Sequence, residues 1–354
     1  MSLDEIHIHR LRNIDFEQIH LHPRYNVFFG KNGAGKTTLL EAIYLLSTGY
    51  SFRTRETAPL IAHEQQDLVV FARTNNRDEV SIQKIRHGAT HVRLNRKACA
   101  TSSELAFFLP CLAIYQDLFQ IIDAGPAVRR ALLDWGVFHV KQSYLPLWKD
   151  YQRVIKQRNA LLRQRAPKSQ FTPWNQQLVM LAQQLDLLRE QYCREWTVSF
   201  EYYLGELSDL SCHLDYYKGW DKKKTGKELM DILEQQFESD CIRQYTQSGA
   251  HQADLIFDVR GGAARQTLSR GQQKILLIAL RLAQAALLNK ECIYLFDDIS
   301  AELDSHVLSN LLSCIQRHHQ GQFIMTTLDS QLFEHPDLTE GFFATIVDGL
   351  VTMR

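Results

Sequence analysis

The sequence has 354 residues with 40 basic and 40 acidic side chains, so its formal net charge is zero. Hydrophobic residues make up 45% and charged residues 23%, which is typical of a globular protein with an ordinary core. With no net charge, a nucleic-acid partner has to be attracted by a local basic patch. The length suffices for two compact units or for one unit with a large insertion.

The cysteines and the apolar segments indicate in which cellular compartment the protein is expected. The seven cysteines form no Cys-x-x-Cys pair and show no zinc or disulfide spacing, which favours a reducing, cytoplasmic setting. The segment Met1 to Glu5 carries acidic residues and is not followed by the apolar stretch that a secretory signal requires. The longest apolar runs, such as Ile275 to Leu280, are too short to span a membrane. We therefore expect a cytoplasmic protein that does not enter a membrane.

The first third of the sequence has the pattern of strands around one helix. Ile6 to Leu21 alternates partly between apolar and polar residues, which predicts a strand pair. Tyr25 to Phe29 is an apolar run that predicts a buried strand leading into a glycine-rich loop. Lys36 to Leu46 has helical character, and Leu68 to Lys97 predicts further strands separated by turns.

The glycine-rich loop carries the most specific motif, Gly30-Lys31-Asn32-Gly33-Ala34-Gly35-Lys36-Thr37. It matches the P-loop pattern G-x-x-x-x-G-K-[ST] between a strand and a helix. Because glycines let the backbone N–H groups point at phosphate oxygens, we assign all eight residues to ATP binding. Lys36 is expected to contact the β- and γ-phosphates, and Thr37 to be a ligand of Mg²⁺.

The middle of the sequence is helical in pattern. Between Trp148 and Trp196 glycine is almost absent, and leucine and glutamine dominate. Apolar residues at helical spacing predict two helices in an antiparallel hairpin, joined by a loop at Arg165 to Gln170. At 1.5 Å per residue, the second helix is expected to be roughly 35 Å long. After about Gln247 the pattern returns to strands and loops, with one further helix at Ile275 to Leu288.

Two acids follow an apolar run late in the sequence. Cys292 to Phe296 predicts a buried strand that ends at Asp297 and Asp298, as a Walker B motif does. We assign Asp297 to Mg²⁺, and Asp298 to polarising the attacking water as a catalytic residue. Taken alone the signal is weak, because many strands end in aspartate for structural reasons.

A third motif precedes that strand by one predicted helix. The segment from Leu268 to Lys274 resembles the ABC signature Leu-Ser-Gly-Gly-Gln, with Arg270 in place of the first glycine. In ABC proteins this helix end meets the γ-phosphate bound to the partner subunit. The resemblance implies a catalytic role for Ser269 and nucleotide contacts for Ser269, Gly271 and Gln272, although Ser269 is also an ordinary helix cap. Asp304 lies at D-loop spacing and is expected on the dimer seam.

The three motifs in this order predict an α/β fold of the P-loop NTPase class, of the ABC and SMC-head type, with an inserted helical arm. We assign residues 1–122 and 243–354 to the ATPase head, and 123–242 to the arm. Lys36, Asp298 and Ser269 are the predicted catalytic residues.

The chain also resembles the RecF family of bacterial recombination mediators, which are relatives of the SMC and Rad50 heads. Besides the three motifs, the matching stretches include Leu11-Arg12-Asn13, Phe52-Arg53-Thr54 and Gln157-Arg158-Asn159. The resemblance implies ATP-dependent dimerisation, a weak, DNA-stimulated ATPase used as a switch, and DNA binding in repair and replication. It further implies partnership with RecR and RecO in loading RecA at single-strand gaps, and a role in SOS induction.

A local basic region supports the expected DNA binding. Between Ile122 and Ser169 there are ten basic and three acidic residues, a local excess of seven positive charges. The predicted DNA contacts there are Arg129, Arg130, Lys149, Arg153, Lys156 and Arg158. No base-reading motif is present, so binding to single-stranded, double-stranded and gapped DNA is expected to ignore sequence. A solvated helix face is the alternative interpretation, and basic residues between Arg73 and Lys97 form a second candidate surface.

Three other functions compete with this interpretation. A transporter ATPase subunit is disfavoured because Thr326 and Thr327 stand where transporters place a catalytic histidine. A long-armed SMC or Rad50 head requires far more heptad sequence than this chain has. A nucleotide-gated DNA clamp whose ATP turnover is incidental stays open.

Overall fold

The computed structural model describes residues 1–99, 101–259, 262–288, 290–330, 332, 335–338 and 340–353. The first elements are β1 (Leu3–Leu11), β2 (Ile14–His20), β3 (Tyr25–Phe29), α1 (Lys36–Thr48), β4 (Asp67–Thr74), β5 (Glu79–Ile85), β6 (Thr90–Leu94), β7 (Lys97–Ala98), α2 (Ser102–Phe108) and β8 (Cys111–Ile114). Next come α3 (Gln120–Asp123), α4 (Pro126–Val140), α5 (Tyr144–Arg163), α6 (Thr172–Leu207), β9 (Cys212–Tyr217), α7 (Leu229–Gln235), α8 (Phe237–Arg243), β10 (Asp254–Val259), β11 (Gly262–Ala263) and α9 (Ala264–Thr267). The last are α10 (Arg270–Ala286), β12 (Ile293–Phe296), α11 (Ser305–His318), β13 (Gln322–Thr327), β14 (Gly341–Val347) and β15 (Leu350–Met353).

The chain divides into two compact units. The first comprises Met1–Phe119, Leu204–Asp209 and Arg270–Arg354, and the second comprises Gln120–Tyr203 and Leu210–Ser269. This division differs from the sequence-based one, which placed 120–122 and 243–269 with the head and 204–209 with the arm. The reason is strand pairing, because β10 forms an antiparallel ladder with β9 and so belongs to the second unit.

The main sheet of the first unit has six strands in the order β15-β14-β3-β13-β12-β8. The pairs from β14 to β8 are parallel, and β15 joins as an antiparallel edge strand. Strands β12, β13 and β8 are buried at every residue, as expected of parallel strands covered on both faces. Parallel strands bring their carboxyl ends to one edge, where ligands bind in open α/β sheets.

Helix α1 packs against two sheets of the first unit. The second sheet is antiparallel, in the order β2-β1-β4-β5-β6-β7. Leu39 and Ile43 of α1 share one hydrophobic cluster with Ile6 and Val70 of this sheet and Ile324 of the main sheet. This helix follows the P-loop directly, so the cluster also fixes the position of the loop.

The second unit contains more than the helices predicted for it. Helix α6 has 36 residues, about 54 Å at 1.5 Å per residue, and is therefore longer than the predicted second helix. Four apolar residues of α6 that repeat at helical spacing, Leu178, Leu185, Tyr192 and Trp196, are buried. A three-stranded sheet, β11-β10-β9, belongs to the same unit. The sequence analysis missed β9, because this short strand alternates for only six residues.

Among the described residues, none of the helices is both long enough and apolar enough to pass through a lipid bilayer.

Truncating α1 at its core position should weaken the first unit. Ile43 has no exposed surface, so Ile43→Ala is expected to cost about 2–5 kcal/mol of unfolding free energy through lost burial and a cavity. All five tryptophans lie in the second unit, so far-UV circular dichroism should report the loss while the tryptophan fluorescence transition stays in place. Leu350→Ala, at a position 63% exposed, is the control and should leave both transitions unchanged.

Candidate functional site

The P-loop lies between β3 and α1, as the motif predicts. Gly33 and Gly35 have φ values of +82° and +112°, a backbone region that favours glycine. At Gly30, an added Cβ would lie 2.5 Å from the carbonyl oxygen of Ile346 on β14. The loop conformation therefore requires glycine at all three positions, for two different reasons.

A cavity of about 480 Å³ opens beside this loop, within the first unit. The residues that line it include Asn13, Lys31, Asn32, Gly33, Gly35, Lys36, Thr37, Tyr115, Gln116, Lys274, Asp297 and Asp298. The structure thus brings most of the predicted P-loop residues together with both predicted Walker B carboxylates. Gln116, two residues after β8, also lines this cavity.

Lys36 is held against the loop that precedes it. Its ammonium donates to the carbonyl oxygen of Gly30 at 2.5 Å and to that of Lys31 at 3.1 Å. Burial lowers the pKa of Lys36, and the neighbouring Asp298 and Asp297 oppose that shift. The ammonium is therefore pre-positioned at the mouth of the phosphate-binding loop.

The two predicted Mg²⁺ ligands touch each other. The Thr37 hydroxyl lies 3.0 Å from both carboxylate oxygens of Asp297, although 260 residues separate the two in sequence. The Thr326 hydroxyl, at the end of β13, donates to Asp297 at 3.0 Å. Burial raises the pKa of Asp297, and the two hydroxyl bonds counteract it. A hydroxyl and a carboxylate at this distance are the hard oxygen ligands that Mg²⁺ takes beside a nucleotide, so these residues fit the ion.

Asp298 occupies a strained turn directly after β12. Its φ is +52°, and its backbone N–H donates to the Thr326 hydroxyl at 2.8 Å. One carboxylate oxygen, Oδ1, is buried and has no hydrogen-bond partner among the described residues. A carboxylate with an unused acceptor beside the cavity is equipped to take a proton from water or to orient it.

A buried glutamate pairs with two arginines that line the cavity. Glu41 on α1 has no exposed side-chain surface and receives two bonds from Arg12, at 2.5 and 2.8 Å. The Ser51 hydroxyl also bonds to Glu41, and Arg53 lies 4.0 Å away. Arg12 and Arg53 both line the cavity, so this buried carboxylate fixes two cations at its wall.

Four of the predicted signature and D-loop residues, Ser269, Gly271, Gln272 and Asp304, do not line this cavity. Helix α10 begins at Arg270, so Ser269 immediately precedes its first turn. Ser269, Gln272 and Asp304 are exposed and Gly271 is half-buried. Asp304 caps α11 by accepting the Val307 N–H at 2.8 Å. Their nucleotide contacts stay a prediction that requires a second chain.

Three of the six predicted DNA contacts are bonded inside the second unit. Arg158 is fully buried and bonds to Asp240 at 2.8 Å, to Asn175 and to Thr246, so its prediction as a DNA contact is wrong. Arg129 forms a two-pronged bond with Asp254, at 2.7 and 2.9 Å, and Arg130 donates to a backbone carbonyl. The sequence shows where positive charges lie but not which of them are buried, because buried and exposed arginines occur within the same helical segment.

The other three lie on an exposed face of α5. Lys149, Arg153 and Lys156 are exposed, and Arg163 continues the same face two turns later. We call these four residues the basic stripe. Arg153 pairs with Asp150 at 2.8 Å, while no ion pair of the other three is found among the described residues.

The sequence analysis missed two features that bear on function. Thr326 organises both Walker B aspartates, and only the adjacency of β13 and β12 reveals this. A lysine loop, Lys222-Lys223-Lys224, is exposed in the second unit. Asp221 holds this loop by accepting the N–H groups of Thr225 and Gly226, both at 2.8 Å. The run of three lysines is itself a visible signal in the sequence.

Comparison with known proteins shows the family of this chain. The model of the RecF/RecN/SMC N-terminal domain matches residues 2–346. The chain is 37% identical to the DNA replication and repair protein RecF of Cellvibrio japonicus, over 97% of both chains. It is 39% identical to RecF of Acinetobacter baumannii, over 93% of this chain and 92% of the relative. This chain belongs to the RecF family.

Solved structures agree on the fold. The structure of the recombination mediator protein RecF-ATP in the RecFOR pathway superimposes with a TM-score of 0.85 at 22% identity, covering 100% of this chain and 97% of that one. An Smc head bound to the C-winged helix domain of ScpA gives 0.63 at 16% identity, with 100% and 97% covered. The predicted α/β P-loop fold of ABC and SMC-head type is therefore confirmed. The chain is a P-loop ATPase of this type.

Removing the buried arginine, Arg158, should destabilise the second unit. Arg158→Met leaves Asp240 buried without its cation, which is expected to cost about 3–5 kcal/mol of unfolding free energy. Tryptophan fluorescence in urea measures this, since every tryptophan lies in that unit. Lys156→Met is the control, because Lys156 lies on the same helix two residues before Arg158 but is exposed. This change should alter the unfolding free energy by no more than about 0.5 kcal/mol.

Proposed function

We propose that this protein is an ATP-dependent DNA-binding protein of DNA repair and replication that dimerises on ATP. The proposal rests on the arrangement of side chains at one cavity. The Thr37 hydroxyl bonds to Asp297, Lys36 lines the same cavity, and one buried oxygen of Asp298 has no hydrogen-bond partner among the described residues. Its family membership and the name of the relatives, DNA replication and repair protein RecF, support the biological setting.

ATP and Mg²⁺ are the proposed ligands of the cavity. The P-loop N–H groups and the Lys36 ammonium would hold the β- and γ-phosphates. Thr37 and Asp297 would hold Mg²⁺, which supplies charge neutralisation to the phosphates when bound. Asp298 would orient the water and accept its proton. A structural relative described as RecF-ATP supports the choice of nucleotide.

A second copy of the chain would complete each nucleotide site. Ser269, Gly271, Gln272 and Asp304 lie outside the cavity of their own chain and remain accessible. A helix N-terminus with exposed polar groups suits an anion brought by a partner. Two ATP molecules would then be shared between two P-loops and two signature helices, and hydrolysis at Asp298 would release the dimer. We therefore infer a slow ATPase, stimulated by DNA and used as a switch.

DNA would meet the basic stripe and the lysine loop through its phosphates. Both present cations to solvent without a base-reading motif, so single strands, duplexes and gapped junctions are all candidate ligands. By family resemblance, RecR and RecO are the proposed partners, and RecA loading at gaps with support of SOS induction the proposed outcome. The proposed location is the cytoplasm, where the seven free cysteines would stay reduced.

Two variants separate nucleotide binding from hydrolysis. Lys36→Met removes the phosphate-binding ammonium and should abolish both ATP binding and dimer formation. Asp298→Asn keeps the shape of the site but loses the base, so it should bind ATP, stall hydrolysis and form a long-lived dimer. Light scattering gives the mass in solution with ATP and Mg²⁺. A monomeric Asp298→Asn protein that still binds ATP would contradict the shared-nucleotide dimer.

Salt titration tests the DNA surface. The double variant Lys149→Gln, Lys156→Gln should reduce the slope of log affinity against log salt by about 2 on duplex DNA, since each lost phosphate contact removes about 0.9. The matched control is Arg194→Gln, Arg243→Gln, which removes two exposed cations of the same unit outside the stripe and loop. Equal slopes for the two double variants would exclude the basic stripe as the DNA site.

A further inference from the structure

The antiparallel sheet of the first unit has one buried face and one face turned to solvent. Ile6, Val70 and Ile82 belong to the hydrophobic cluster on the buried face. On the other face, the strand registers place side chains in rows that cross five strands. One row joins directly paired residues from β2 to β6, namely Phe16, His9, Val69, Gln83 and His91.

A parallel row lies two residues further along each strand. It consists of Gln18, His7, Phe71, Ser81 and Arg93, which are again direct partners from β2 to β6. All ten residues of the two rows are exposed or half-buried, as on the solvated face of an antiparallel sheet. We call these ten residues the outer platform.

Four aromatic rings lie together on the outer platform. The ring centroids of Phe16 and His9 are 4.7 Å apart, and those of His7 and Phe71 are 5.2 Å apart. Phe16 is 51% exposed. Burial lowers the pKa of His9, so its ring is uncharged at pH 7. Exposed flat rings of this kind offer a surface on which another flat ring can stack.

Polar groups beside the rings are held in place and can each bond to a further partner. One amide N–H of Gln18 donates to Glu5 at 2.7 Å, and one of Gln83 donates to Asp67 at 2.7 Å. A side-chain amide has two N–H donors and an acceptor oxygen, so each glutamine retains groups for a ligand. Donors and acceptors next to stacking rings are what the edges of unpaired bases require.

Positive charge lies at one end of the outer platform. Residues 86–97 include four basic residues and no acidic residue. Arg93 ends the second row, and Lys97 follows it in the short ladder of β6 and β7. Both are exposed, and within the described part of the chain neither forms an ion pair, whereas Arg96 pairs with Glu79 at 3.2 Å. The rings are thus followed by cations whose charge is complementary to that of a phosphate backbone.

We propose that the outer platform binds an unpaired DNA strand, with bases stacked on Phe16 and Phe71 and the adjoining phosphates at Arg93. The inference rests on the proposed DNA binding and adds a second site, on the first unit, that recognises bases instead of phosphates alone. A base in a duplex is already stacked and paired, so it reaches a protein ring only at the cost of unstacking. Because every base has a π-face, this binding ignores sequence.

The test measures binding of the full-length chain to a thymidine oligonucleotide carrying one 2-aminopurine, and to a duplex. Both are measured in the Lys149→Gln, Lys156→Gln background, which weakens the proposed phosphate contacts of the second unit. Phe16→Leu should weaken oligonucleotide binding by about fivefold or more, because one stack on an aromatic ring is lost. The 2-aminopurine fluorescence should also change less on binding. Duplex affinity and the salt slope should stay as in the background protein, since stacking releases no counterions.

Two controls separate stacking from a structural effect. Phe16→Trp keeps an aromatic face and should retain the oligonucleotide affinity of the background protein. Tyr50→Leu removes an aromatic side chain of similar exposure, 46%, from the same unit outside the outer platform, and should leave that affinity unchanged. Equal losses for Phe16→Leu and Tyr50→Leu would overturn the inference, as would equal losses of oligonucleotide and duplex binding in Phe16→Leu.

A second copy of the chain is the other occupant that the experiment distinguishes. Light scattering without ATP or DNA would then show self-association that Phe16→Leu abolishes. That result would assign the outer platform to an interface between copies and overturn its assignment to DNA.

Failure of the inference and failure of the proposed function give different results. A wild-type protein that binds neither the oligonucleotide nor the duplex with ATP present contradicts the proposed DNA binding itself. Wild-type binding of duplex, together with an unchanged oligonucleotide affinity and fluorescence response in Phe16→Leu, overturns only the outer platform. Should circular dichroism show that Phe16→Leu has lost its structure, Phe71→Leu replaces it under the same criteria.

Discussion

The contact between Thr37 and Asp297 is the constraint on which the nucleotide site depends. It joins the end of the P-loop to the end of β12, across a sequence separation of 260 residues and with the entire second unit inserted between them. The sheet makes this possible, because β13 lies between β3 and β12 and all three strands end at one edge. Thr326 on that middle strand supplies the hydroxyl that completes the arrangement.

Buried charges around the cavity are each held by named partners. Glu41 is bound by Arg12 and Ser51, Lys36 by loop carbonyls, and Lys274 by turn carbonyls. Removing charge from water is costly unless such partners exist, so these groups have one well-defined arrangement. Among the described residues that line the cavity, Asp298 has one buried oxygen without a hydrogen-bond partner, and this oxygen belongs to the carboxylate that the proposed hydrolysis uses.

The second unit contains both buried and exposed cations. Arg158 and Arg129 make several bonds each inside the unit, as their forked guanidinium groups allow. The basic stripe and the loop of residues 222–224 together present five exposed lysines and two exposed arginines. Lysine is a mobile point charge with a strongly hydrated head, which suits contact with a phosphate backbone irrespective of base sequence.

Local spacing in the sequence determined the P-loop, the Walker B aspartates, the signature helix start and the α/β class. These are contiguous segments whose backbone conformation and chemistry depend on neighbours a few residues away. Tertiary structure alone decided that Arg158 is buried, that the Thr326 hydroxyl bonds to Asp297, that β10 pairs with β9, and that Lys274 binds the turn after β12. Burial and side-chain pairing depend on which distant segments pack together, and no spacing within one segment encodes that.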